Sequence, residues 1–169
     1  ASLARLLRQS ISNEDEVVPL AREVEYAKGY LTIQKMRYKD KLEFEINVEP
    51  SILNIPLIKL VLQPIIENAI YHGLKYKESK GLLQVKGFKK DGNAVLQVID
   101  NGVGMDEETL AHIYDKHKVN YHSNGVGVYN VQKRLQLYYG ESYGITYESE
   151  KGVGTTATIT IPGMQEESI

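Results

Sequence analysis

Glu67 and Asn68 stand side by side inside the run Leu62-Gln63-Pro64-Ile65-Ile66-Glu67-Asn68-Ala69-Ile70-Tyr71-His72-Gly73, an acid and an amide set in an apolar helical pattern. A buried amide without a hydrogen bond costs roughly 1–3 kcal/mol, so Asn68 requires a partner. That partner is either a ligand or the helix end itself, which Gly73 is suited to terminate. Further on, Asp100 closes the strand-like Val95-Leu96-Gln97-Val98-Ile99-Asp100 and runs into Asn101-Gly102-Val103-Gly104-Met105. A carboxylate at a strand end followed by glycines puts an acceptor beside backbone that a ligand can approach closely. A local Asp turn is the plainer alternative. Gly125-Val126-Gly127-Val128 then opens a helical pattern whose first N–H groups are free to hold phosphate oxygens. A last cluster, Gly152-Val153-Gly154-Thr155-Thr156, precedes a terminal strand.

The elements that must position these residues follow from periodicity. Leu20, Val24, Ala27 and Leu31 form the apolar stripe of a helix that starts near the polar Asn13-Glu14-Asp15-Glu16 and ends near Tyr38-Lys39-Asp40. Leu42 to Val48 alternates apolar and polar as a strand with one wet face does. Pro56 suits the first turn of the central helix, in which Ile58, Val61, Leu62, Ile65, Ile66, Ala69 and Ile70 recur at helical spacing. Pro64 then falls inside that helix and is expected to kink it or to free a carbonyl. Leu82 to Phe88 and Ala94 to Asp100 flank Lys89-Lys90-Asp91-Gly92-Asn93 as a hairpin, and Gly144 to Ser149 and Thr156 to Ile161 read as closing strands. Strands linked mainly by hairpins and mixed with helices predict an α+β fold, a two-layer α/β sandwich with a mixed, mostly antiparallel sheet packed on helices and an N-terminal helical segment.

Composition narrows the classes. The 169 residues suit one domain with a sizeable core, and 42% hydrophobic with 25% charged residues is ordinary for a globular protein. A net charge of -2 gives no reason to expect a nucleic-acid partner, and the absence of cysteine excludes a disulfide framework and a thiolate nucleophile. No apolar run approaches the roughly 20 residues of a membrane helix. The glycine clusters lack the context of a dinucleotide fingerprint, and there is no Gly-Lys-Ser/Thr phosphate loop.

The four clusters in this order resemble the asparagine box and the three glycine boxes of the GHKL ATP-binding superfamily, which has a Bergerat-type fold. Within it, Leu62-Gln63-Pro64-Ile65-Ile66-Glu67-Asn68 and the upstream Glu23-Val24-Glu25-Tyr26-Ala27-Lys28-Gly29-Tyr30-Leu31 resemble sensor histidine kinases of the LytS/YesM-like branch. The resemblance implies ATP and Mg2+ as cofactors, with Asn68 as the magnesium ligand and Asp100 accepting from the adenine amine. Gly104 and Thr156 would complete the adenine contact, with Gly102 and Met105 in the same loop. Gly125, Val126, Gly127 and Val128 would cradle the phosphates below a lid around Lys116-His117-Lys118. Glu67 would act beside Asn68 in catalysis, polarising the attacking imidazole or ordering the metal's surroundings. Many histidine kinases carry a phosphate-contacting Lys or Arg three residues after the asparagine. Tyr71 stands there, which makes Lys75 or Lys77 the candidate replacement and His72 a phosphate-proximal or packing residue.

The resemblance further implies that residues 1–12 are the tail of a dimerisation helix, 13–164 the ATP-binding catalytic domain and 165–169 a frayed tail. None of His72, His112, His117 and His122 has the Pro-His-Phe context of a phosphoacceptor. The acceptor would lie on a separate dimerisation domain of a homodimeric, membrane-anchored parent whose catalytic part is cytoplasmic and which signals to a response regulator. Two other readings share parts of the pattern: an anti-sigma-type serine kinase, against which Pro64 stands in the usual position of the base, and a non-catalytic nucleotide-sensing module.

Overall fold

Alternation of apolar residues builds a sheet of five strands in the order β2-β4-β5-β7-β6: β2 Leu42–Val48, β4 Gly81–Lys90, β5 Asn93–Asp100, β6 Gly144–Glu150 and β7 Gly154–Pro162. The computed structural model describes residues 17–114 and 125–164. The expected tail of a dimerisation helix at 1–12, the lid around Lys116-His117-Lys118 and the tail at 165–169 lie outside the described residues. Asp91 and Gly92, with φ of 51° and 78°, make the tight β4–β5 turn, whose twist requires positive φ at both positions. β5–β7 and β6–β7 are also antiparallel, while β2–β4 is parallel. One face presents Leu83, Val85, Leu96, Val98, Ile145, Ala157, Ile159 and Ile161 to the helices, all buried. The other carries half-buried Gln84, Gln97, Thr156 and Thr158. The result is the expected two-layer arrangement.

The central helix differs from expectation at its start. Pro56–Ile58 is not its first turn but a short strand, β3, paired antiparallel with β1, Val17–Pro19. Leu57 and Ile58 enter the core in this extended form. The Tyr139 hydroxyl accepts from the Ile58 N–H at 3.2 Å and donates to the Pro56 carbonyl at 3.0 Å. The Arg134 guanidinium donates to the Lys59 carbonyl at 2.8 Å. After Leu60, at φ 61°, helix α2 runs only from Leu62 to Asn68. Pro64 is therefore in the first turn, where its missing N–H would have had no helical partner, and no kink follows.

Helix α1, Leu20–Tyr38, buries Leu20, Glu23, Ala27, Tyr30, Leu31 and Gln34. It starts after β1, and its first N–H groups, those of Leu20 and Ala21, donate to the Ile55 and Leu53 carbonyls at 2.9 Å. Glu23 is only 3% exposed, yet its carboxylate accepts from the N–H groups of Leu60, Val61 and Leu62 at 2.8, 2.9 and 3.1 Å. An anion at the start of α2 satisfies orphan donors and favours the positive end of the helix. Replacing one carboxylate oxygen by an amide, in Glu23→Gln, is expected to lower unfolding free energy by about 1–3 kcal/mol. The denaturant midpoint should fall with an unchanged slope.

Candidate functional site

A cleft of about 540 Å³ opens between α2 and the helix-covered face of β5, β7 and β6. From α2 and the turn after it come Ile65, Asn68, Ala69, His72 and Gly73, which share one side of the helix at steps of three and four residues. The turn, Ala69–Leu74, is a π-helix, wider than α by one residue, with the Lys75 N–H reaching the Ile70 carbonyl at 2.8 Å. Val98, Asp100, Tyr147, Thr155 and Ala157 come from the sheet, and the far wall is the short helix α3, Glu107–Ala111, with its flanks, which bring Gly104, Met105, Glu108, Thr109, His112 and Ile113. The lower two walls are mostly apolar with a few polar groups, the composition of a small-molecule site.

Asp100 sits at the base, 5% exposed. Burial raises its pKa from 3.8 to about 6, against the opposing pull of the Gly102 and Thr155 backbones and the Lys77 charge. The Gly102 N–H donates to Oδ1 at 2.8 Å. Gly73 must be glycine here because a Cβ would lie 2.7 Å from that same oxygen. Gly104 has φ 65°, and a Cβ there would fall 1.9 Å from the Glu150 carbonyl oxygen, so the loop after Asp100 is wedged against the β6–β7 turn. Opposite, the Asn68 amide oxygen is shielded from solvent and accepts no hydrogen bond. His72 has its pKa lowered by burial and then by the Lys75 charge, which favours the neutral ring. A carboxylate held in an apolar slot can accept from an amino group on a flat ring, and the unpartnered amide oxygen is a hard donor with nothing to bind.

Of the residues expected from the sequence, the cleft thus collects Asn68, His72, Asp100, Gly104 and Met105. Gly102 lies just beneath, holding Asp100. Gly125 and Val126 open helix α4, Gly125–Tyr139; Gly127 packs toward Pro64, and Val128 is fully buried in the core rather than in the cleft. Glu67 is turned away by the 100° step between helical neighbours, accepting from Gln63 at 3.1 Å and facing Tyr30 of α1. It does not line the cleft, and its charge reaches Tyr30, which bonds the Tyr71 side chain. Lys75 lies over the Tyr76 ring at 5.6 Å, and Lys77 donates to the Asn101 carbonyl at 2.6 Å, so neither lines the cleft.

Thr156 also departs from expectation. It pairs with Ile99, whereas Thr155 pairs with Asp100 and faces the cleft, because strand side chains alternate. The small and apolar Ala157, Ile159 and Ile161 carry that parity in the sequence, and it would have singled out Thr155. Tyr147 escaped notice because a tyrosine in a strand has no chemical signature of its own. If the cleft binds a nucleotide, Thr155→Val should weaken calorimetric affinity about 5- to 10-fold, the worth of one hydrogen bond, with Thr156→Val within about 2-fold.

Comparison with known proteins places this geometry. A family model described as "Histidine kinase-, DNA gyrase B-, and HSP90-like ATPase" matches residues 54–165, and one described as "Histidine kinase" matches residues 1–42. The chain is 33% identical to the sensor histidine kinase YesM of Bacillus subtilis over 98% of its own length and 27% of that protein's. It is 34% identical to the sensor protein LytS of Oceanobacillus iheyensis over 82% of its length and 24% of that protein's. It thus spans about a quarter of the length of these curated relatives. The fold matches the catalytic domain of histidine kinase ThkA with a TM-score of 0.67 at 14% identity, over 89% of this chain and 100% of that one. A mycobacterial sensor histidine kinase, MprB, matches with a TM-score of 0.61 at 21% identity, covering 88% and 97%.

Proposed function

Since the chain belongs to the histidine kinase-, DNA gyrase B-, and HSP90-like ATPase family, we propose that it binds ATP in the cleft and transfers the γ-phosphoryl group to a histidine on a separate dimerisation domain. The carrying observation is the pairing, across one cleft, of buried Asp100 with the unpartnered oxygen of Asn68. Asp100 accepts from the adenine amine, which a guanine cannot offer in the same place. Asn68 would hold a magnesium ion through Oδ1, a fit that its shielded and unbonded oxygen supports. Bound there, the ion would offset the charge on the phosphate oxygens. The α4 N-terminus lies at Gly125, and the first N–H groups of a helix, which lack helical partners, can hold those oxygens.

A histidine acceptor suits this cleft better than a hydroxyl. Of the residues of α2, Ile65 and Asn68 line the cleft, while the Glu67 carboxylate accepts from Gln63. An imidazole, with an ordinary pKa near 6.5, already carries a free lone pair at neutral pH and needs no strong base, whereas a serine hydroxyl does. This favours the histidine kinase over the serine kinase, with positioning and charge neutralisation doing most of the catalysis.

In this reading the parent is a homodimeric, membrane-anchored sensor acting on a response regulator, and residues 1–12 end its dimerisation helix; the histidine kinase match over 1–42 supports the last point. No described helix is long and apolar enough to cross a membrane. The test is transfer of labelled phosphate from ATP to the parent's dimerisation domain supplied separately. Appearance of acid-labile label on that domain is the expected result, and ATP binding with no transfer under any supply of the acceptor would leave a nucleotide-sensing module instead.

A further inference from the structure

Tyr147 brings to the same cleft a second polar atom with nothing to bind. Its hydroxyl oxygen, on the inner face of the edge strand β6, is shielded from solvent and has no hydrogen-bond partner. It lies close to the Asn68 carboxamide, whose oxygen is in the same condition. Around them the walls are Ile65, Ala69, Val98 and Ala157. Shielded polar atoms without partners in apolar surroundings are costly unless a ligand or a neighbouring group completes them.

A carboxamide that binds a cation must present oxygen, and its NH2 group then points away and needs an acceptor. We propose that Tyr147 is the positioning residue for Asn68: its hydroxyl oxygen takes an Asn68 Nδ2 hydrogen and holds the amide with Oδ1 toward the cation. The inference rests on the reading of Asn68 as a magnesium ligand and adds the group that orients it. The ring is held independently, edge-on to Tyr114 with centroids 6.1 Å apart, and the Tyr114 hydroxyl donates to the Ile145 carbonyl. Outer partners of this kind commonly alter metal affinity 10- to 100-fold.

Tyr147→Phe removes the hydroxyl and keeps the ring. Calorimetric ATP affinity would be measured on this chain with magnesium and with a chelator. The gain in affinity that magnesium confers is expected to fall about 10-fold, with chelated ATP bound within about 2-fold of the unmodified protein. Equal losses in both conditions would mean that the hydroxyl touches the nucleotide itself, and no loss in either would mean that it orients nothing; both overturn the inference. An Asn68→Asp background separates orientation from a change in folding, because a carboxylate offers oxygen whichever way it turns. Tyr147→Phe should be silent there, and an undiminished effect would again overturn the proposal. If magnesium does not alter ATP affinity in the unmodified protein, the reading of Asn68 as ligand fails and this inference with it. Magnesium dependence that survives Tyr147→Phe intact removes only the orienting role.

Discussion

Asn68→Ala is expected to reduce phosphoryl transfer by about 10³-fold or more, because charge stabilisation at the phosphates dominates such reactions and losing one preorganised partner alone costs about 10²–10³. Asn68 is the polar side chain that α2 itself presents to the cleft, and its amide oxygen forms no bond that the fold depends on. The variant should therefore keep its unfolding midpoint while losing transfer to a supplied acceptor domain. Adenine recognition at Asp100 should persist, so chelated ATP should still bind. Transfer within about 10-fold of the unmodified protein would remove Asn68 from the phosphate end of the site.

Asp100→Asn separates binding from stability in the opposite direction. An amide can still accept from the Gly102 N–H, but it turns a donor toward the adenine amine, so affinity should fall about 10- to 100-fold. Stability at neutral pH should not fall. The carboxylate titrates near 6 in the folded protein against 3.8 ordinarily, which amounts to about 3 kcal/mol of strain on the ionised form. Between about pH 4 and 6 the folded protein holds a proton that the unfolded chain has released, so stability falls as pH rises through that window and stays at the lower level above it. Asp100→Asn should abolish this slope and be at least as stable as its parent at pH 7–8. Nucleotide affinity of the unmodified protein should rise through pH 6 and then level off, since the ionised form is the acceptor. A variant that unfolds more easily at neutral pH, or that binds ATP unchanged, would contradict the assignment of Asp100.

Local signals made much of this legible. The Asp91-Gly92 turn and the alternation on either side specify β4 and β5, and with them Asp100 at a strand end, from sequence neighbours alone. Asn68 stood out as an amide in an apolar run. What stayed hidden depends on contacts distant in sequence. The apolar spacing from Ile58 to Ile70 continues without a break, yet β1, Tyr139 and Arg134 draw residues 56–59 into an extended strand, and the Glu23 carboxylate fixes where the helix can begin. Thr155 and Thr156 were separable only through strand parity, and Glu67 only through the helix face that α1 covers.

The wide turn at Ala69–Leu74 also governs which changes in chain length this region can absorb. It holds one residue more than an α-helix would use for the same advance. Losing a single residue there would regularise the backbone hydrogen bonds and leave a helix of ordinary form with its flanks in place, but would take away the bulge that sets the Gly73 backbone against Asp100. Insertions and deletions are commonly absorbed in loops; here a deletion would improve the local geometry and unseat the wall of the cleft that meets Asp100.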